Sequence, residues 1–288
     1  MTLSAGSQSQ AATQDFFTGV TQEQVLISGR AFPAPVFYRD LSFDAYVYEC
    51  DTATVQKFLP SPSYLPIRLP FRKCLTALIC FEYRATDVEP YNEVALCVPL
   101  AGFGEHLLPD WLFSFLDLSL GTLHAHIIHL PVNTDLALRG GLDFFGYPKF
   151  LAGIHFEDKQ KKHSCELRDA DDNFLTLRIS RERGRGIALG PQAMTFCTYP
   201  VRRGKTLRAT FNLQFDDMHV DALPRHIRLE TGAGEMAEAA GLLLTTPLMS
   251  VYARKGRGIL QLPAVSQPSA IGPTAGWEAS SRLEEIHE

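Results

Sequence analysis

The chain has 288 residues, 45% of them hydrophobic, and a formal net charge of −5. That length and apolar content suffice for a large buried core, in one β-rich domain or two smaller ones. The acidic balance offers no basic footprint for nucleic acid, and no apolar run is long enough to span a bilayer. In chain order, residues 1–20 are small and polar without periodicity and read as a disordered segment. They lack a charged start followed by an apolar stretch, so they do not read as a secretory signal. Leu41 to Tyr48 alternates as a strand does, and Thr52 to Leu59 predicts a short helix that stops at Pro60. Leu75–Tyr83 and Val94–Leu100 read as strands. Trp111 to Leu120 is apolar at most positions and is assigned as helix, whereas Leu123–Leu130 fits strand or helix. Ile154–Leu167, Phe174–Ser180 and Leu207–Phe215 are predicted as strands of one antiparallel set, with Ala170-Asp171-Asp172-Asn173 as a hairpin turn. Thr231–Leu244 fits a packed helix or strand. Residues 21–262 thus read as one mainly β, α+β domain with antiparallel strands, and 263–288 as a Pro/Ser/Gly-rich tail ending in a possible short helix.

Six cysteines (Cys50, Cys74, Cys80, Cys97, Cys165 and Cys197) lie mostly in apolar runs and show no Cys-x-x-Cys spacing. Reduced, buried thiols in a cytoplasmic protein are the expectation.

The most informative residue is Lys149, set in the run Leu142-Asp143-Phe144-Phe145-Gly146-Tyr147-Pro148-Lys149-Phe150-Leu151. Aromatic and aliphatic surroundings disfavour an ammonium ion, and a neutral lysine attacks carbonyl carbon and forms a Schiff base. Pro148 fixes the backbone ahead of it, and Gly146 permits an unusual φ angle or a close approach. The bland alternative is a strand-edge lysine that snorkels to water.

The same stretch resembles the active-site signature of the acetoacetate decarboxylase superfamily, in which Gly-Arg-Glu precedes an aromatic-Pro-Lys. The matching residues are Gly141-Leu142-Asp143 and Tyr147-Pro148-Lys149. Upstream, Tyr91-Asn92-Glu93 before Val94-Ala95-Leu96 matches the family's Tyr-x-Glu, and Phe81-Glu82 matches a further glutamate after an aromatic. Arg39 matches an arginine near the first strand, about one residue out of place. The likeness runs from Phe37 to Arg178. It implies an antiparallel β-cone or barrel, a homo-oligomer, and a lyase that decarboxylates a small β-oxo acid through an imine on Lys149, with no cofactor. Glu93 and Glu82 become the candidate acid and base, Tyr91 their hydrogen-bond partner, and Arg39 the partner of a substrate carboxylate. Asp143, Tyr147 and Phe150 complete the candidate substrate contacts. Two positions depart from the family. Phe150 stands where the decarboxylase has a second lysine next to the nucleophile, so activation must rest on desolvation by Phe144, Phe145, Phe150 and Leu151. Leu142-Asp143 replaces Arg-Glu, leaving Arg139 as a possible substitute cation. These changes keep open aldolase-dehydratase or cyclase chemistry on a larger oxo acid, and a non-catalytic ligand-binding protein of the same fold.

Other patterns carry less. His124, His126 and His129 crowd one segment, but no acid or thiol lies near at ligand spacing, so no metal is expected. Gly102-Phe103-Gly104 has no third glycine at fingerprint spacing, and Gly184 to Gly190 reads as a flexible turn. No Gly-x-Ser-x-Gly elbow supports serine hydrolysis. Arg202-Arg203-Gly204-Lys205 is a short basic patch of the kind found in solvated loops.

Overall fold

The computed structural model describes residues 16–27, 30–103, 121–184 and 186–266. The predicted helix at Trp111–Leu120 lies outside the described residues. The chain opens with β1 (Glu23–Ile27), β2 (Arg30–Ala34) and the long β3 (Val36–Asp51), then α1 (Thr52–Val55) with a 3-10 turn behind it. There follow β4 (Tyr64–Pro66), β5 (Arg68–Leu69), β6 (Lys73–Thr86), β7 (Tyr91–Phe103), β8 (Thr122–Val132), α2 (Asp135–Gly140) and β9 (Lys149–Leu151). The second half supplies β10 (Gly153–Lys159), β11 (Lys162–Arg168), β12 (Leu175–Glu182), β13 (Ile187–Thr198), β14 (Val201–Arg202) and β15 (Lys205–Asp221). It ends with β16 (Ile227–Thr231), α3 (Glu235–Leu243), β17 (Thr246–Leu260) and β18 (Ala264–Val265).

The fold is mainly β, as expected. Its main sheet runs β7-β6-β3-β17-β15-β13-β8, and β8 also pairs with β7, so the sheet closes on itself. Closure removes the two edges that an open sheet would expose. A second sheet, β10-β11-β12-β16, packs against one side. Residues from Thr76 to Phe81 and from Glu93 to Ala101 are buried without a break, because these strands are covered on both faces. One face, with Ile79, Phe81 and Ala95, joins an inner core that includes Phe211 and Phe215. The other, with Leu78, Cys80 and Leu96, joins an outer core shared with Ile154, Leu167 and Ile179 of the second sheet and Met236 and Leu243 of α3.

Several expectations are corrected. Ile154–Leu167 is two strands, because the polar run Asp158-Lys159-Gln160-Lys161-Lys162 turns the chain between β10 and β11. Leu207–Phe215 does not join that antiparallel set; it lies in β15 of the closed sheet, between β13 and β17. The segment 184–190 is only partly a turn, since β13 starts at Ile187. Leu123–Leu130 is strand, and Thr231–Leu244 holds helix α3. Ala170–Asn173 does turn β11 into β12. In the segment read as disordered, Phe17 packs its ring 4.7 Å from that of Phe37. In the predicted tail, β18 pairs with Leu207 and Arg208. All six cysteines are free and buried.

His124 and His126 of β8 are held at about 4, below the usual 6.5, chiefly by burial. Both are therefore neutral in the fold at neutral pH, while the unfolded chain protonates them near 6.5. Their contribution to stability is complete above pH 6.5 and is lost as pH falls toward 4. The expected loss is on the order of 3 kcal/mol per histidine. Urea midpoints at pH 7 and pH 4.5 measure it, and replacing both histidines by Gln should flatten that part of the pH dependence.

Candidate active site

The Lys149 site is assembled on β8, α2 and the turn that follows. Thr134 caps α2, its Oγ1 accepting the Ala137 amide at 3.3 Å, and Asp135 sits in the first turn, where a negative charge suits the helix N-terminus. The helix then widens into a π-helical turn, Gly141–Phe145, which ends at Gly146 with φ 67° and ψ 27°, a left-handed conformation that glycine adopts without a Cβ clash. The chain returns through Tyr147 and Pro148, whose carbonyl accepts the Leu130 amide at 3.1 Å. Lys149 thereby starts β9, parallel to β8 and opposite Leu130. Its stem crosses the Cα of Gly141: a Cβ there would collide with Cδ and lie 2.5 Å from Cε. Gly141 is thus the residue that lets the lysine enter.

Lys149 Nζ donates to Glu93 Oε2 at 2.6 Å, and the two side chains are only 6% and 10% exposed. Glu93 lies on β7 opposite Phe81 of β6 and Val132 of β8. Tyr83 donates to its other oxygen, Oε1, at 3.2 Å. Tyr91 shares the Glu93 face, as period-two alternation requires, and its ring centre lies 5.6 Å from Nζ. The Tyr91 and Tyr38 hydroxyls are 2.9 Å apart, and Tyr147 bonds Thr198 Oγ1 at 2.7 Å. Burial, supplemented by the Glu93 charge, pushes the phenols of Tyr38, Tyr83, Tyr91 and Tyr147 above their usual 10. They remain neutral hydroxyls that donate and accept hydrogen bonds without adding charge.

These groups line a cavity of about 90 Å³ whose other walls are apolar, including Phe81, Phe144, Phe145, Phe196 and Phe211. A single water needs roughly 10–15 Å³ by a comparable measure, so there is room for a small organic molecule. The arrangement combines an amine, a carboxylate beside it and a largely apolar enclosure.

Of the sequence-predicted residues, the structure brings Lys149, Glu93, Tyr91 and Tyr147 together and leaves four others outside. Glu82 points to the opposite face of β6 from Phe81 and Tyr83, where Oε2 accepts from Arg84 at 2.7 Å and from Ser42 at 3.1 Å. Arg39 is half-exposed and ion-paired with Asp87. Asp143 is exposed on the π-helical turn. Phe150 is 36% exposed and meets the edge of His129, not the lysine. The apolar wall around the lysine therefore includes Phe144 and Phe145 but neither Phe150 nor Leu151. Arg139 does not substitute for a missing cation, being paired with Asp135 at 2.6 Å on the surface. His124 bonds Tyr199 at 2.8 Å, and His126 packs edge-on to Tyr64. No group of three His, Cys, Asp or Glu side chains among the described residues is placed to hold a metal.

The sequence reading missed Tyr38, Tyr83 and Thr198, and it matched Gly141 to the signature without assigning it a role. The alternation Phe81-x-Tyr83 opposite Tyr91-x-Glu93 was a usable signal for Tyr83. Tyr38 and Thr198 come from distant strands and carry no local mark.

The fold and site define a class: closed, mainly antiparallel β-proteins that hold one lysine beside a glutamate in an aromatic cavity. The chain belongs to the acetoacetate decarboxylase family, whose model matches residues 27–256. Comparison with curated proteins gives no match. Among solved structures the chain is similar to an acetoacetate decarboxylase from Legionella pneumophila subsp. pneumophila str. Philadelphia 1, with 14% identity, TM-score 0.59, and coverage of 92% of this chain and 98% of that one. An acetoacetate decarboxylase-like enzyme from Sphingomonas wittichii RW1 is similar at 15% identity and TM-score 0.53, covering 84% and 98%. The enduracididine biosynthesis enzyme MppR, in complex with pyruvate, is similar at 13% and 0.54, covering 80% and 89%. At these identities the three likenesses establish the fold. No helix among the described residues is long and apolar enough to cross a membrane.

Proposed function

We propose that this protein is a Schiff-base-forming lyase that decarboxylates a β-oxo acid through Lys149. The observation that carries the reading is the buried Lys149–Glu93 pair at 2.6 Å inside an aromatic cavity. Transfer of one proton from Nζ to Glu93 leaves a neutral amine facing the cavity. That amine adds to the substrate ketone, Glu93 returns its proton to the departing hydroxyl, and loss of water gives an iminium. The bond between the α-carbon and the carboxylate then breaks, its electron pair moves toward the iminium nitrogen, and carbon dioxide leaves. Glu93, recharged with a proton from solvent water, protonates the resulting enamine carbon, and water hydrolyses the new iminium to release a ketone and the Lys149 ammonium, which restores the starting pair with the Glu93 carboxylate. The dry wall keeps bulk water from competing for the amine. Family membership and the likeness to acetoacetate decarboxylases support this chemistry.

The test is intact mass after borohydride reduction in the presence of acetoacetate, pyruvate or longer oxo acids, combined with detection of carbon dioxide. A substrate-sized adduct on Lys149 with carbon dioxide release is expected. An adduct without carbon dioxide would redirect the reading to aldol or dehydration chemistry, and no adduct with any oxo acid would leave a binding protein. Gly141→Ala supplies a second check, because its methyl occupies the path of the Lys149 stem. A displacement of about 1 Å costs roughly 100-fold in rate, so adduct formation should slow by about that factor while the circular dichroism spectrum is kept.

A further inference from the structure

The cavity's polarity restricts what the substrate can carry beyond its reacting centre. Among the described residues, Lys149 and Glu93 are the two charged side chains lining it. Its hydroxyls are already engaged with one another or with Glu93: Tyr38 with Tyr91, Tyr147 with Thr198, Tyr83 with Glu93. Once Lys149 is an iminium, its single positive charge already faces Glu93 and the departing carboxylate, and it is neutralised when carbon dioxide leaves; a second anionic group on the substrate would be buried beside Glu93 without a cation of its own, which is strongly unfavourable. The carboxylate that leaves as carbon dioxide escapes this penalty.

The shape indicates what fills the rest. Glu93, Tyr91 and then Val88 follow one another along β7 and into the turn before it, all lining the cavity. Val36 lies two residues before Tyr38 on β3, about 7 Å further along the strand by its rise per residue. Val36 is paired with Leu260 of β17, and Phe32 and Ala34 of β2 also contribute to the wall. The cavity thus leads from Nζ past the tyrosines to an end built only of apolar side chains.

We propose that the substrate is a monocarboxylic β-oxo acid bearing a longer alkyl chain or an aryl ring in place of the C4 methyl of acetoacetate, seated on Val36, Val88 and Leu260. This rests on the Schiff-base reading and narrows it to a substrate class larger and more apolar than acetoacetate. Val36 and Val88 become the specificity-determining residues.

The experiment compares kcat/KM of the full chain for acetoacetate, 3-oxopentanoate, 3-oxohexanoate, benzoylacetate and 3-oxoadipate, with borohydride trapping run alongside. Burying each added methylene is expected to raise kcat/KM roughly fourfold up to 3-oxohexanoate. The dicarboxylate 3-oxoadipate is expected to fall at least about 100-fold below 3-oxohexanoate. Val36→Phe, which shortens the apolar end, should lower the ratio of kcat/KM for 3-oxohexanoate over acetoacetate. Trapping on Lys149 with carbon dioxide release, but with acetoacetate or 3-oxoadipate the best substrate, overturns the substrate class and leaves the chemistry standing. Absence of any Lys149 adduct across the panel overturns the chemistry and the substrate class together.

Discussion

Replacing Lys149 by Met is expected to abolish both imine trapping and turnover, with a fall in kcat of at least about 10⁴-fold, since removal of a covalent nucleophile leaves only binding and electrostatic effects. The same change also has a structural consequence. Glu93 would lose its partner at 2.6 Å while remaining buried, with only the Tyr83 hydroxyl still bonded to it. Breaking a buried pair by removing one member costs about 3–5 kcal/mol, so the single variant should also unfold at lower urea. The double variant Lys149→Met/Glu93→Gln removes both charges and should recover much of that stability while regaining no turnover. Denaturant midpoints and single-turnover trapping on the two variants therefore separate chemistry from folding. A Met variant that still turns over at wild-type rate would remove Lys149 from the mechanism. Unchanged ligand affinity in that variant, with wild-type protein inactive on every oxo acid, would favour the binding-protein reading.

The part of the site legible in the sequence was the part with short-range order. Tyr91 and Glu93 fall on one face because strand residues alternate, whatever the tertiary fold. The aromatic-Pro-Lys run announced a fixed lysine because proline and glycine restrict the backbone within a few residues. The same local signals misplaced Glu82. It alternates with Phe81 and Tyr83, so placing those two rings inside the barrel sends Glu82 outward to Arg84. Sequence alone did not say which face was inner. Arg39 and Asp143 failed for a related reason. Each depends on a partner or a turn geometry fixed by other segments: Asp87, 48 residues away, for the arginine, and the π-helical turn for the aspartate. Strand identity was legible from buried runs such as Val94–Leu100, whereas pairing was not. Leu207–Phe215 is as apolar as its supposed partners, and only closure through β13 and β17 assigns it to the main sheet.

A structural effect as large is expected at Asp44, which no sequence signal singled out. Its carboxylate, 1% exposed on β3, accepts from Arg181 Nε at 2.6 Å and Arg254 Nη1 at 3.2 Å, with His163 Nε2 at 3.0 Å. His163 bonds Asp158 through its other nitrogen at 2.6 Å, and the Arg181 guanidinium lies 3.4 Å from the centre of the Tyr252 ring. The cluster joins β3 and β17 of the closed sheet to β11 and β12 of the second one. Burial alone would raise the Asp44 carboxyl, but the His163 bond and the charges of His163, Arg181 and Arg254 outweigh it and hold the group at about 2. The folded value lies below the ordinary 3.8, so this stabilisation is complete above about pH 4 and is lost as pH falls through 2. Asp44→Asn leaves Arg181, itself 2% exposed, without its counter-charge. The expected cost is about 3–5 kcal/mol, read as a lowered urea midpoint at pH 7. Asp44→Leu/Arg181→Met, which exchanges both charges for apolar volume, should cost less than the single Asn change, because it removes the most buried cation together with the carboxylate and leaves only the partly exposed Arg254 and the Asp158-bonded His163 without it. A double variant no more stable than Asp44→Asn would mean that Arg254 and His163, not Arg181, carry the balance.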